Sequence, residues 1–268
     1  MNRKEKNDRI EKHTRPLAVA IVGYGKMGRA LEATIADTPD TQTVAIVGKT
    51  PEADVYAELS AIRATIDCLV DFSHHSNIDR VLRYAQENNK PLVMAVTGFN
   101  EAQQRQIASA AARIPIVYAQ NMSTGVNVLK NVIAYVGRTL GEDFDIEIIE
   151  KHHNQKEDAP SGTTTYWLSA IDDSAAKHAV YGRKGLHRRA ANEIGVHSVR
   201  GGTIVGEHTI LFAGPDEIIE LKHTALSKRV FAGGAVRAAR FAVTQRPGLY
   251  GMDDVLRATD RMKTATNR

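Results

Sequence analysis

The chain has 268 residues, 43% of them hydrophobic and 25% charged, which excludes a disordered or collagen-like polymer and suits one or two folded domains. Thirty-five Lys and Arg against 31 Asp and Glu give a formal net charge of +4. No apolar run approaches the ~18–20 residues that span a bilayer, so a membrane is not an expected partner.

The positive charge is concentrated at the start. Residues 1–16 hold six basic side chains (Arg3, Lys4, Lys6, Arg9, Lys12, Arg15) and three acidic ones (Glu5, Asp8, Glu11), leaving 29 basic and 28 acidic residues in the body. This segment reads as a flexible basic arm, either solvated or tethering an anion. A body so close to neutral gives no footprint for nucleic acid. The apolar run after the arm, Leu17 to Val22, is short and passes into a glycine motif rather than a cleavage site, unlike a secretory signal. The single Cys68 permits no internal disulfide, and a buried thiol in a reducing cytoplasm is the expectation.

From Leu17 onward, short continuous apolar runs recur: Leu17 to Val22, Val44 to Val47, Cys68 to Phe72, Leu92 to Val96 and Ile114 to Ala119. Such runs predict parallel strands buried on both faces. Helical segments lie between them, Met27 to Ala36 and Ile78 to Asn88 among them, with Asn77 placed to cap the second. Strands and helices in alternation predict a doubly wound, Rossmann-like sheet.

The first strand leads into Gly23-Tyr24-Gly25-Lys26-Met27-Gly28, a G-x-G-x-x-G motif that opens a helix. In that setting Gly23 allows the tight turn, Gly25 lets the backbone approach a pyrophosphate, and Gly28 lets helix and strand pack closely. The acid that the fingerprint expects roughly 20 residues later, to clamp the adenine ribose, is missing. Gly48-Lys49-Thr50 stands there instead. Lys49 either pairs with a 2′-phosphate or is a solvated charge, and NADPH is expected to serve at least as well as NADH.

After about residue 123 the pattern changes. Asn127 to Leu140 reads as a helix and Phe144 to Glu150 as a strand. A polar loop follows and ends at Pro160-Ser161-Gly162-Thr163, a helix start. Val196 to Val199, Gly206 to Ala213 and Glu217 to Thr224 alternate as strands, with Gly214-Pro215-Asp216 turning between the last two, and a helix over Gly233 to Gln245 leads back. The predicted fold class is therefore α/β: an N-terminal doubly wound parallel sheet plus a second α+β domain with a mixed or antiparallel sheet. The expected divisions are a basic arm (1–16), a dinucleotide-binding domain (17–123), a substrate-binding and oligomerisation domain (124–232) and a C-terminal segment (233–268) returning to the first domain.

The loop from Glu150 to Thr163 gathers His152, His153 and Lys156 ahead of a helix N-terminus. Cations and exposed N–H groups suit carboxylates, and a histidine suits general acid chemistry. The paired histidines have no further His or Cys at zinc-site spacing, so no metal is expected.

The stretch Glu147-Ile148-Ile149-Glu150-Lys151-His152-His153-Asn154-Gln155-Lys156-Glu157-Asp158-Ala159-Pro160-Ser161-Gly162-Thr163 closely resembles the signature of the 4-hydroxy-tetrahydrodipicolinate (dihydrodipicolinate) reductase family of lysine and diaminopimelate biosynthesis. The resemblance continues at Val70 to Ser73, Thr97 to Phe99, Asn121 to Asn127, Val205 to Thr209 and Phe231 to Arg237. It implies an NAD(P)H-dependent oxidoreductase acting on a small cyclic dicarboxylate, with His152 and Lys156 as catalytic groups, His153 binding substrate, and Gly162 with Thr163 receiving a carboxylate. It also implies cofactor contacts at Gly23 to Gly28, at Ala95, Val96 and Thr97, and at Ala119, Gln120, Asn121 and Met122, and a homotetramer joined through the second domain. The family's acidic ribose ligand falls on Gly48 and its basic neighbour on Lys49. Ala95 and Val96 replace a Gly and a Thr of the family loop, so Val96 supplies no hydroxyl. The competing readings are another two-domain nicotinamide-dependent reductase and a non-catalytic, dinucleotide-sensing regulator. A regulator needs a DNA-binding module, for which a 16-residue arm is too short.

Overall fold

The computed structural model describes residues 15–49, 55–171 and 177–266. Most of the expected basic arm, residues 1–14, lies outside them. Arg15 does not belong to a loose segment: its guanidinium grips the Asp67 carboxylate through two bonds of 2.7 and 2.8 Å. The same carboxylate accepts the Ala18 N–H at 2.9 Å, so the chain is fastened where the first strand begins.

In chain order the first elements are β1 (Leu17–Val22), α1 (Lys26–Ala36), β2 (Thr41–Val47), β3 (Val55–Tyr56), β4 (Cys68–Asp71), α2 (Ile78–Glu87), β5 (Leu92–Met94), α3 (Glu101–Ala111) and β6 (Pro115–Tyr118). They are followed by α4 (Thr124–Leu140), β7 (Asp145–His152), α5 (Gly162–Ile171), β8 (His178–Tyr181), β9 (Glu193–Arg200), β10 (Glu207–Ala213) and β11 (Ile218–Thr224), and then by α6 (Arg229–Ala242), β12 (Gly248–Tyr250) and α7 (Met252–Thr266). The chain divides into two compact units. One comprises the described residues up to Ala119 and from Ala232 onward; the other is the continuous stretch Gln120–Phe231.

The first unit is a seven-stranded sheet in the order β12-β6-β5-β4-β1-β2-β3, parallel throughout. Burial explains the apolar runs: Ala18 to Val22 and Cys68 to Val70 are sealed from solvent, as strands covered on both faces must be. Burial also raises the Cys68 thiol pKa, keeping it an inert packing group. β3 and β12 are too short to announce themselves as apolar runs. The expected cap at Asn77 is replaced by another device: a 3-10 turn (His75–Asn77) precedes α2, the His74 ring accepts the Ser76 N–H at 3.3 Å, and the Asn77 side chain bonds Ser73 Oγ at 3.1 Å.

The second unit is a mixed five-stranded sheet in the order β11-β10-β7-β9-β8. β7, β9 and β8 run parallel, and β10 pairs antiparallel with both β7 and β11. Helices α4 and α5 supply Val126, Ile133 and Trp167 to a core with Ile146, Ile148, Ile194, Ile210 and Phe212. Ser123 caps α4 by accepting the Val126 N–H at 3.3 Å, so that helix starts three residues earlier than Asn127. β7 runs two residues beyond Glu150 and includes His152, a difference that decides the geometry of the candidate site.

Candidate active site

The glycine motif sits at the point where the strand order reverses, between β1 and β4, the usual position for a ligand of an open parallel sheet. Gly23 has φ +90°, and a Cβ there would lie 2.6 Å from the Ser73 backbone. A Cβ at Gly28 would lie 2.0 Å from the Gly23 carbonyl oxygen. Gly25 differs: nothing lies within 4 Å of the place its Cβ would take, and no side chain caps α1. An open backbone leading into an uncapped helix N-terminus fits the pyrophosphate of a dinucleotide. Lys26 and Met27 occupy the first turn of that helix.

Tyr24 closes the side of this loop. Its hydroxyl donates to the Glu32 carboxylate, and the Arg29 guanidinium lies 4.3 Å from its ring centroid. A Cβ on Gly48 would meet Tyr24 Cβ at 3.0 Å, so Tyr24 crowds the position where the acidic ribose ligand is expected. Lys49 is exposed beside it, while residues 50–54 lie outside the described residues. Across the loop, the buried Asp71 carboxylate accepts the Ser73 N–H at 2.8 Å. Burial raises its pKa to about 6, with Ser73 opposing. Ala95 donates its N–H to the Asp71 carbonyl at 2.9 Å. Thr97 is exposed, but Val96 packs in the core of this unit, leaving only its backbone for a ligand. Ala119 ends this unit, donating to the Met94 carbonyl at 3.4 Å. Gln120, Asn121 and Met122 belong to the second unit, Gln120 exposed and Met122 buried.

The second unit gathers the histidine–lysine residues. Strand alternation puts Ile146, Ile148, Glu150 and His152 on the helix-covered face of β7. Pairing sets Ser198 and His208 beside Glu150, His223 beside His208, and Arg200 beside His152. One end of an otherwise apolar face therefore becomes polar. Glu150 is fully buried. It accepts bonds from Arg200 at 2.7 and 2.9 Å and lies 2.5 Å from His152 Nδ1. Burial opposes its ionisation, but the bonds from Arg200, Ser198 and His152 outweigh it and hold the carboxyl at about 2. For His152 burial wins over the Glu150 charge, and the ring pKa is lowered.

His152 Nε2 points toward Gly206, where an added Cβ would come within 3.1 Å. The His208 ring stands edge-on to His152 at 5.0 Å and to Trp167 at 5.7 Å. Burial, then the neighbouring His152, lowers its pKa to about 3, so it is neutral. Its Nε2 lies 2.7 Å from Ser161 Oγ, which accepts the Thr164 N–H at 3.3 Å and so caps α5. Gly162 and Thr163 form the first turn of α5, and their N–H groups precede the first helical bond, from Thr165 to the Ser161 carbonyl at 3.1 Å. A Cβ on Gly162 would meet nothing within 4 Å. Asn121 donates to Thr163 Oγ1 at 2.9 Å, tying one expected cofactor residue to an expected carboxylate ligand. Lys156 pairs with Asp158 at 2.7 Å, and the half-buried His153 keeps a buried, unbonded Nδ1.

Thus His152, Lys156, Gly162 and Thr163 all belong to this unit, and the structure adds Glu150, Asp158, Ser161, Arg200, Gly206 and His208. Arg200 carries no local signal, because only the β7–β9 register brings it to Glu150. Glu150, His152 and His208 are also the one metal-ligand-type cluster among the described residues. The Arg200 fork already neutralises its single carboxylate, leaving two neutral histidines beside two cations, a poor donor set for a metal.

Residues 17–122 match the family model described as dihydrodipicolinate reductase, N-terminus, and residues 125–256 match its C-terminus. A 4-hydroxy-tetrahydrodipicolinate reductase of Clostridium novyi is 40% identical over 240 residues, covering 87% of this chain and 95% of that protein. One of Akkermansia muciniphila is 44% identical over 246 residues, covering 90% and 98%. Among solved structures, a dipicolinate-bound dihydrodipicolinate reductase from Paenisporosarcina sp. TG-14 superposes with a TM-score of 0.70 at 24% identity, covering 90% of this chain and 99% of that one. A Corynebacterium glutamicum diaminopimelate dehydrogenase shares the fold with a TM-score of 0.54 at 13% identity, covering 89% and 93%.

Proposed function

The chain belongs to the dihydrodipicolinate reductase family, and from that premise we propose that it reduces 4-hydroxy-tetrahydrodipicolinate to tetrahydrodipicolinate, with loss of water, in lysine and diaminopimelate biosynthesis. NADPH or NADH, held at the Gly23 to Gly28 loop, supplies the hydride. The observation that carries the reading is one unit presenting a histidine on a buried carboxylate, a lysine and an open helix N-terminus together.

Each group has a task. The N–H groups of Gly162 and Thr163, with Lys156 and His153, hold the two substrate carboxylates. His152 delivers a proton from Nε2 to the ring as hydride arrives at the carbon conjugated with the imine. The 4-hydroxyl leaves as water together with a hydrogen from the neighbouring ring carbon beside the imine, and the hydride and the proton then saturate the double bond so formed. Dianionic substrate next to His152 raises the ring's proton affinity, offsetting the burial that lowers it in the free enzyme.

The test supplies the product of dihydrodipicolinate synthase and follows NADPH and NADH oxidation separately. We expect oxidation that depends on the dicarboxylate, with kcat/KM for NADPH at least equal to that for NADH, because Gly48 leaves no carboxylate to repel a 2′-phosphate and Lys49 stands beside it. Cofactor oxidation indifferent to the dicarboxylate would overturn the reading, and a strong NADH preference would overturn its cofactor part. A homotetramer is proposed on the same grounds. The sheet face opposite α4 and α5 carries Ile149, Leu211 and the exposed Val199, apolar surface suited to a second copy. Sedimentation equilibrium reads the assembly directly.

Among the described residues no helix is long and apolar enough to cross a membrane.

A further inference from the structure

We infer that Arg200 is the positioning residue joining the two reactive groups: through Glu150 it holds His152 with Nδ1 bonded inward and Nε2 turned outward, and through Asp158 it holds Lys156. Nothing in the histidine–lysine motif names this residue, which stands 48 positions beyond His152 in the chain.

The geometry gives each link. One guanidinium edge meets both Glu150 oxygens, Nη1 to Oε2 at 2.9 Å and Nη2 to Oε1 at 2.7 Å. Nη2 also donates to the Asp158 carbonyl at 2.6 Å, while the Asp158 carboxylate takes the Lys156 ammonium at 2.7 Å. A lysine has a single donor centre and cannot reproduce this planar fork. The Glu150 carboxylate, kept anionic by the fork, has only acceptors to offer, so the hydrogen between it and His152 resides on Nδ1. That leaves Nε2, and the missing side chain at Gly206 keeps its approach open. The charged or titratable groups facing His152 are Glu150 on its own strand, Arg200 on β9, His208 on β10 and Lys156 in the following loop. None but Glu150 supplies an acceptor to Nδ1, whereas Arg200 touches both the carboxylate beneath His152 and the backbone beside Lys156.

What His152 does with its proton rests on the proposed function; the orientation of its ring does not. The first measurement is therefore made without substrate. Nitrogen-15 NMR of the full chain, with His152 signals assigned by their loss in H152Q, reports which nitrogen carries the hydrogen in the neutral ring. We expect the Nδ1–H tautomer alone; an Nε2–H tautomer overturns the inference whatever the activity. The second measurement is R200K, which keeps the charge and loses the fork. Its kcat should fall about 10–100-fold, by analogy with the outer partners that orient metal-bound histidines, with the KM for NADPH within about twofold. The single tautomer should give way to a mixture, and the pH dependence of kcat should shift. R200K with kcat within threefold of the parent and an unchanged tautomer overturns the inference. If R200K does not fold, E150Q is read by the same two measurements. Should the parent enzyme reduce no cyclic dicarboxylate, the functional reading fails, while the tautomer still decides the positioning role.

Discussion

The role proposed for His152 draws on what surrounds each ring nitrogen, a carboxylate at one and a glycine without a side chain at the other. H152Q should lower kcat by about two to four orders of magnitude, the range for loss of a general acid, while NADPH affinity, measured by fluorescence titration, stays unchanged. K156A should lower kcat and raise the KM for the dicarboxylate together if the ammonium has the binding role proposed for it. G206A tests the open side of the ring. Its Cβ lies 3.1 Å from Nε2 but 4.0 Å from the nearest His208 atom, so kcat should fall with little change in thermal midpoint. The motif made His152 and Lys156 legible in the sequence, since they lie four residues apart beside a helix start. Arg200 and His208 were not, because they reach Glu150 through strand register, which local spacing does not encode.

At the scale of elements, the glycine loop separates two roles that the bare motif merges. Gly23→Ala places a methyl group against the Ser73 backbone and forces a side chain to φ +90°. Strain of this kind costs about 1–3 kcal/mol, and the thermal midpoint should drop even without cofactor. Gly25→Ala meets open space, so the thermal midpoint should hold while the KM for the dinucleotide rises. Differential scanning fluorimetry beside steady-state kinetics distinguishes the two. Most central strands of the first unit were legible as apolar runs because both faces are covered. β7 shows where that criterion stops short: its apolar run ends before Glu150, yet the alternation of Ile146, Ile148, Glu150 and His152 carries the strand two residues further. β3, β8 and β12, of two to four residues, hold too little pattern to be seen.

For the whole molecule, the buried titratable groups give the two units opposite responses to acid. Glu150, held at about 2, contributes stability that is complete above its unfolded value near 4.5 and is lost as the pH falls toward 2. His208, held at about 3, stays neutral in the folded chain while the unfolded chain takes up a proton below about 6.5, so falling pH favours unfolding there too. Asp71, raised to about 6, acts the other way: the folded first unit takes up a proton between pH 6 and 4, relieving a buried charge. From pH 7 to 4 the second unit should lose on the order of 3 kcal/mol at about 1.4 kcal/mol per pKa unit, with no parallel loss in the first. Hydrogen exchange should accordingly show protection of β7 and β10 falling before that of β1 and β4; equal loss in both would refute the assignment.

The return of the chain to its first sheet has a further consequence, for synthesis. β12 pairs with β6 through Gly248 to Tyr250, and it leaves the ribosome more than a hundred residues after its partner. Until then β6, with Ile116 and Val117 fully buried in the finished protein, ends the sheet as an unsatisfied apolar edge. The second unit, being continuous, has all of its strands before this happens. Nascent chains stopped before residue 248 therefore combine a complete second unit with an adhesive first one, the form most in need of a chaperone.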